Sequence, residues 1–467
     1  MTCRVALLLV TFALGGALTG CATYSDSFGV IERDLSSRQY DAALQDIEKQ
    51  QGSKTDRVLY LLNKGMVLRM KRDFVGSNQS LEGAKTEMDR LYAASVSENT
   101  LSFIINDATV SYAGDDYEQV LVHLYMALNY LELGKPNEAR VEALQVDIKL
   151  REIGEKIPDY KFTEDALSRY LTGMIYEELG EWSDAMIDYR KAYEAYKKYQ
   201  VSYGTDMPDM LKHDLLRLTK RQGLKDEAGL YNKEFGIALQ QDERQKPEQE
   251  GELVFILNNG LAPVKREKVI AAWAPPPSVV TGRSKPQASG FPPQPVLVKI
   301  ALPYYESRPN NVLSARIIVS GNQADTQMME DIDAIARASL DARMPAITAR
   351  SIARAVAKGA LQESVDRAGN SGNNDAAAQL ISSFLVRVAT AATERADTRS
   401  WLTLPANIQM ARLPLPAGSY DVTVELLGAS DQLIETQVFP QVSIKNTRKT
   451  YLTQHWVPDY PSTRRRK

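Results

Sequence analysis

Thiols are almost absent from this chain of 467 residues, whose cysteines are Cys3 and Cys21. Everything after Cys21 must therefore be stabilised by packing without disulfides, and can offer neither thiolate metal ligands nor a cysteine nucleophile. Histidine is as scarce: His123, His213 and His455 lie far apart, and no pair has the spacing of a zinc site. A phosphate-cradling glycine-rich loop, a Gly-x-Ser-x-Gly elbow and a dinucleotide fingerprint are all missing. No catalytic residue, cofactor or metal ion is expected on these grounds. After residue 21 no stretch offers 18 consecutive apolar residues, the least a spanning helix needs. The formal net charge of −3 argues against a nucleic-acid partner, since surfaces that bind one are strongly basic. One basic cluster, Arg464-Arg465-Arg466-Lys467, reads as the solvated end of a tail, residues 459–467.

What is present starts at the N-terminus. Arg4 precedes an uncharged apolar run from Val5 to Leu14, and small residues follow. That order is a secretory signal, residues 1–20, and the run is about half the length of a bilayer span. Leu18, Thr19, Gly20 and Cys21 then resemble the lipobox of bacterial lipoproteins. The resemblance implies cleavage after Gly20, acylation of Cys21 and a short tether over residues 21–26. With Ala22 rather than Asp next, it further implies sorting to the outer membrane, facing the periplasm. Each buried acyl methylene contributes about 0.8 kcal/mol, so several chains make a lasting membrane anchor.

Residues 27–239 are helical in period. They also repeat. Ala127, Tyr130, Gly134, Ala139 and Ala143 recur at the same offsets as Gly173, Tyr176, Gly180, Ala185, Tyr189 and Ala192. Small residues let two helices approach, Tyr fills the gap between them, and Gly134 or Gly180 makes the turn. These segments resemble tetratricopeptide (TPR) repeats. Weaker copies occur around Tyr40 to Ile47, Gly65 to Ala84 and Leu216 to Phe235, with extra residues near 95–116 and after Ile153. The expectation is an irregular α-helical TPR-like solenoid whose concave face docks a protein partner.

Residues 240–250, charged and Gln-rich, read as a linker. Beyond it the texture is that of an α+β domain over residues 251–458 with an antiparallel sheet. Leu253 to Leu257, Val264 to Trp273, Val296 to Leu302, Ala315 to Ser320, Ile408 to Leu413, Ser419 to Leu427, Gln432 to Phe439 and Thr450 to Trp456 read as strands. Two features interrupt them: a Pro-rich loop, 274–295, and a helical insertion, 327–397. The insertion reads as helices over Gln327 to Arg343, Ile347 to Ala368 and Asp375 to Asp397, with Pro345 starting the second.

The layout resembles lipoproteins that act as assembly factors or regulators of envelope machinery: peptidoglycan-synthase activators, pilus secretin pilots and polysaccharide export components. The whole-chain pattern also resembles a conserved lipoprotein family that is poorly characterised. What this implies is a scaffold or adaptor that binds protein partners in the periplasm, close to peptidoglycan, and is not an enzyme. The alternative is a cell-wall glycan hydrolase, which needs two carboxylates. Asp115, Asp116 and Glu118, beside Tyr112 and Tyr117, are the densest acidic and aromatic group outside the regular repeats, and such loop carboxylates are more often solvated charges or helix caps.

Overall fold

The computed structural model describes residues 24–97, 110–156, 164–236, 250–274, 296–369 and 395–459. The signal segment with Cys21, the linker up to residue 249, most of the Pro-rich loop, residues 370–394 of the insertion and the basic cluster lie outside these residues.

After a helical turn at Tyr24–Ser27, ten helices among the described residues form five hairpins: α1 Gly29–Ser36 with α2 Tyr40–Glu48, α3 Arg57–Met70 with α4 Phe74–Ser97, α5 Asp116–Glu132 with α6 Pro136–Lys156, α7 Ala166–Glu178 with α8 Trp182–Tyr203, and α9 Asp209–Arg221 with α10 Lys225–Phe235. All five hairpins turn in the same way. At the third turn Gly134 N donates to Leu131 O at 3.0 Å and Lys135 N to Tyr130 O at 2.8 Å. This is the Schellman pattern, which needs one residue in the left-handed region. Gly134, Gly180 and Gly223 take that place with φ +67°, +79° and +73°, whereas the first two turns place Arg38 and Arg72 there at φ 57° and 66°.

Among the described residues the second half contains ten strands, β1 Glu250–Asn259, β2 Val264–Ala274, β3 Val296–Glu306, β4 Ser314–Val319, β5 Asn322–Asp325, β6 Gln327–Asp331, β7 Asn407–Pro416, β8 Gly418–Leu427, β9 Leu433–Ile444 and β10 Lys449–Trp456, and helix α11 Ile332–Gly369 lies between β6 and β7. Strands β10-β1-β7-β6 form one sheet, β5-β4-β8-β9 a second, and β2-β3 a separate ribbon. The expected antiparallel sheet needs one correction: β1 runs parallel to β10, so the first sheet is mixed. It is joined from both sides of the insertion, since β1 pairs with β7.

Two further expectations change. Residues 327–331 are a strand, because β7 offers them a ladder and pairing overrides the helical propensity of Met328 and Met329. Asp331 then caps α11, its Oδ1 accepting from Ala334 N at 3.0 Å. Nor does Pro345 start a helix, for it lies inside α11. Leu340 before it is buried, while Met344 and Ile347 pack on the core, so tertiary contacts carry the helix across the proline.

The layers stack as helices, mixed sheet, second sheet. β1 is buried on both faces, which explains its unbroken Leu253-Val254-Phe255-Ile256-Leu257. Leu253, Phe255 and Leu257 meet Ile317, Val422 and Val424 of the second sheet. Val254 and Ile256, with Ile408 and Met410 of β7, join the helices Tyr125, Leu171 and Leu215 help to build. One core cluster thus runs from the helices into the mixed sheet, and another lies between the two sheets. A smaller cluster seats the first hairpin, through Phe28, Ile31 and Leu35, on Leu261, Val264 and Val457.

Candidate functional site

Of the repeat residues singled out above, Ala127, Ala139, Ala143, Ala185, Ala192 and Tyr189 are buried, and Tyr130 and Tyr176 are partly buried against the same core. Gly134 and Gly180 stand at the turns with open space around them. At Gly173 a Cβ would overlap the ring of Tyr189, so the gap there is filled from the second helix of the hairpin rather than by Tyr176. Leu18, Thr19, Gly20 and Cys21 lie outside the described residues.

The array was expected to keep a face for a partner. Its first helices, α3, α5, α7 and α9, instead lie against the chain's own mixed sheet along a polar seam. Arg412 of β7 sits at its centre. It donates to both carboxylate oxygens of Glu252, at 3.0 and 2.9 Å, to Tyr170 Oη at 2.7 Å, and to Asp214. Burial opposes its charge, yet Asp214 and Glu252 outweigh that and hold the guanidinium above its ordinary pKa. From Asp214 the network continues through Arg217 to Glu177, which accepts from Arg217 at 2.8 Å and from Tyr189 Oη at 2.7 Å. Lys449 of β10 reaches Glu177 at 3.8 Å. At the other end of the seam Arg69 bonds Asn129 and donates to Thr453 Oγ1 at 3.0 Å, and Tyr125 donates to Asn258 at 2.9 Å.

The charged residues of this seam were not singled out from the sequence. A signal existed. In a strand that alternates, Arg412 occupies the same face as Ile408 and Met410, and Glu252 the same face as Val254. A charge on an apolar face needs a buried partner.

The acidic group at 115–118 is interior. Asp115 caps α5 and forms a capping box with Glu118. Its carboxylate also accepts from Lys265 Nζ at 2.8 Å, Arg343 at 2.6 Å and Tyr305 Oη at 3.0 Å. Burial works against that charge, but Arg343 and Lys265 hold the carboxyl below its ordinary value. Glu118 accepts from Tyr112 Oη at 2.6 Å, Trp401 N at 2.7 Å and Asp115 N at 3.1 Å. Burial, and then the Asp115 charge, push it up to about 7. Two carboxyls whose environments drive their pKa values apart are a mark of acid and base pairs in active sites. Here both are buried and bonded to protein groups, and they fasten α5 to the β2–β3 ribbon, to α11 and to the segment at Trp401.

The histidines fall apart in space as in sequence: His123 Nδ1 meets Glu142 at 2.8 Å between α5 and α6, while burial, with Arg69 and Arg72 nearby, holds His455 well below its ordinary pKa.

An open cleft of about 690 Å³ lies between the α1–α2 turn, residues 309–311, β9 and residues 456–459. Glu435 and Asp459 line it, with Trp456 and Asn310. Glu435 pairs with Arg38.

The second helices face outward. On α6, Val141, Leu144 and Ile148 are 55%, 42% and 46% exposed and follow one another at i, i+3 and i+7. Ile187 on α8 and Leu230 on α10 are exposed as well. The β2–β3 ribbon shows Val269 and Trp273 to solvent. No helix among the described residues is long and apolar enough to cross a membrane.

No family model and no curated protein matches this chain. Among solved structures it is similar to a crystal structure of MamA, at 14% identity over 43% of this chain and 88% of that one, with a TM-score of 0.28. It is also similar to PilF of Pseudomonas aeruginosa, at 15% identity over 51% of this chain and 89% of that one, with a TM-score of 0.31. At such scores the likeness is too slight to bear on function.

Proposed function

We propose that this chain is a scaffold that binds protein partners, held by a lipid anchor on Cys21 at the periplasmic face of the outer membrane, and serving the assembly or regulation of cell-envelope machinery near peptidoglycan. The observation that carries the binding role is the apolar row Val141, Leu144 and Ile148, left in solvent on an array whose opposite face is occupied. Three apolar side chains at helical spacing are the anchors by which helical surfaces hold a partner. The anchor is supported by Leu18-Thr19-Gly20-Cys21 and the apolar run before it.

Nothing favours the glycan hydrolase to the same degree. Its carboxylates would stand about 5–10 Å apart beside an open cleft, whereas Asp115 and Glu118 are interior and Glu435, in the open cleft, is engaged by Arg38. A photo-crosslinking residue at Leu144, in cells, is expected to capture one periplasmic protein that the same residue at exposed Lys49 does not. Recovery of lipid and abundant porins alone at both positions would remove the scaffold reading. Cys21→Ser is expected to release the chain from membranes, and continued attachment would remove the anchor.

A further inference from the structure

Glu330 of β6 is fully buried, and neither of its carboxylate oxygens has a hydrogen-bond partner. The register of β6 against β7 shifts between Met328 and Glu330, marking a β-bulge, a device that re-aims a side chain. Two tyrosines of α8 locate its surroundings. Tyr196 donates to the carbonyl of Met329, next to Glu330, at 3.0 Å, and Tyr199 donates to the carbonyl of Glu164, next to Asp165, at 3.2 Å. The ring of Tyr203 meets that of Tyr199 edge to face, with centroids 4.8 Å apart. The backbones beside Glu330 and Asp165 are thus both held against the C-terminal part of α8.

Asp165 uses Oδ1 to cap α7, accepting from Ser168 N at 2.6 Å. Its Oδ2, the Tyr203 hydroxyl and the Thr205 hydroxyl are buried and unpartnered, like both oxygens of Glu330. Leaving one buried polar group unsatisfied costs about 1–3 kcal/mol, so several close together call for a physical reason. Here Asp165 and Glu330 both act on the Tyr203 hydroxyl, and Thr205 follows Tyr203 by two residues. The charged groups that act on Glu330 are Asp165 and Asp331, both acidic, with no basic side chain among them. The region is therefore rich in oxygens, and burial, then Asp165 and Asp331, push the Glu330 carboxyl well above its ordinary value, a cost that a bound cation would offset.

We propose that Asp165 Oδ2, both carboxylate oxygens of Glu330 and the Tyr203 and Thr205 hydroxyls bind a hard divalent cation of the calcium class, which clamps the β6 edge of the mixed sheet to the end of α8. An all-oxygen set of carboxylates and neutral oxygens, with water to complete the shell, suits such an ion. Among the described residues no three His, Cys, Asp or Glu side chains gather as a metal site, and the set here relies on two carboxylates with hydroxyls. The site is independent of what docks on α6.

The test uses the full mature chain, stripped with chelator and dialysed against radioactive calcium at fixed ionic strength. One equivalent of calcium is expected to bind and to raise the melting temperature by several degrees, with magnesium weaker and sodium without effect. Glu330→Gln keeps the shape and removes a charge, so it is expected to abolish both signals. Should that variant fail to fold, Tyr203→Phe, which removes one oxygen from a half-exposed ring, is expected to weaken calcium binding about tenfold, the loss of one good ligand contact. Absence of bound calcium in the wild-type chain, or binding that neither substitution changes, would overturn the proposal and leave protons and water as the occupants.

Discussion

The two sides of the helical array are built from the same hairpins and meet opposite surroundings. On the first-helix side α5 is buried almost all round, down to His123 and Asn129. On the second-helix side α6 keeps Val141, Leu144 and Ile148 in water. The covered side carries charges where it meets its partner: Arg412, Asp214, Glu252, Glu177 and Lys449 all lie in the seam. The open side keeps an apolar row in water among charged residues. A permanent intramolecular interface can hold ions because every charge has a fixed partner, and such pairs specify register better than they add stability. An interface that forms and dissolves needs apolar area on a surface that is also stable in water. The contrast separates the face by which the chain holds itself from the face by which it can hold something else.

The strongest way to break that comparison is to unpair the seam. Arg412→Ala leaves Asp214 and Glu252 buried without their shared cation and is expected to cost about 3–5 kcal/mol. Arg190 offers the control on the open side, where it pairs with Glu227 at 2.6 Å in a partly exposed setting. Its replacement by Ala is expected to cost at most about 1 kcal/mol. Urea denaturation of the two variants measures the difference, and equal losses would mean that the seam is no tighter than the surface.

A second substitution sharpens the packing within one hairpin. Gly173→Ala pushes a methyl into the Tyr189 ring and is expected to cost about 1–3 kcal/mol. Gly180→Ala meets open space and bears only the strain of φ +79°, about 1 kcal/mol. Thermal melts should rank the first below the second.

The third prediction concerns pH. Glu118 has its pKa raised in the folded chain to about 7, above its ordinary 4.5, so the folded state keeps a proton that the unfolded state releases. Its contribution to stability is complete below the ordinary value and is lost as pH rises through 7. Glu118→Gln is expected to flatten the fall in stability between pH 5 and 7, by up to about 1.4 kcal/mol per pH unit. Asp115, with its pKa lowered, acts in the other direction and only in acid, below its ordinary carboxylate range. Parallel stability curves for wild type and variant over that interval would remove the buried-acid account of Glu118.

What could be read from the sequence follows the range of the forces involved. Hairpin turns are local, so Gly134 and Gly180 announce the repeats. Where the same backbone is held by Arg38 and Arg72 the signal fades. Those two arginines reach β9, Arg38 pairing with Glu435 and the Arg72 guanidinium lying 6.0 Å from the Phe439 ring centre, which explains why a residue poorly suited to the left-handed region is held there. The grouping of Asp115, Glu118, Tyr112 and Tyr117 was visible because it spans two turns of chain. Lys265, Arg343, Tyr305 and Trp401, which settle what the group does, come from distant segments that only the fold brings near. β6 was hidden for the same reason, since its strand character is conferred by β7. A covering of the first helices by the sheet cannot be seen in helical periodicity, because Tyr125 and Tyr170 look alike whether they face a neighbouring helix or a strand.

The smallest expected effect on stability carries the most weight for function. Val141, Leu144 and Ile148 already lie in water, so replacing Val141 and Ile148 with Asp, with the crosslinking residue kept at 144, removes little buried area and is expected to shift stability by no more than about 0.5 kcal/mol per site. If the row holds a partner, desolvating two carboxylates against an apolar surface would be prohibitive, and capture from position 144 should disappear while the fold persists. Circular dichroism melts and crosslinking on the same variant separate the two effects. A variant that melts like wild type and still captures its partner would move the binding face elsewhere, to the β2–β3 ribbon with Val269 and Trp273. A variant that unfolds would show that the row belongs to the interior after all, and the distinction between the two faces of the array would fail at its most exposed point.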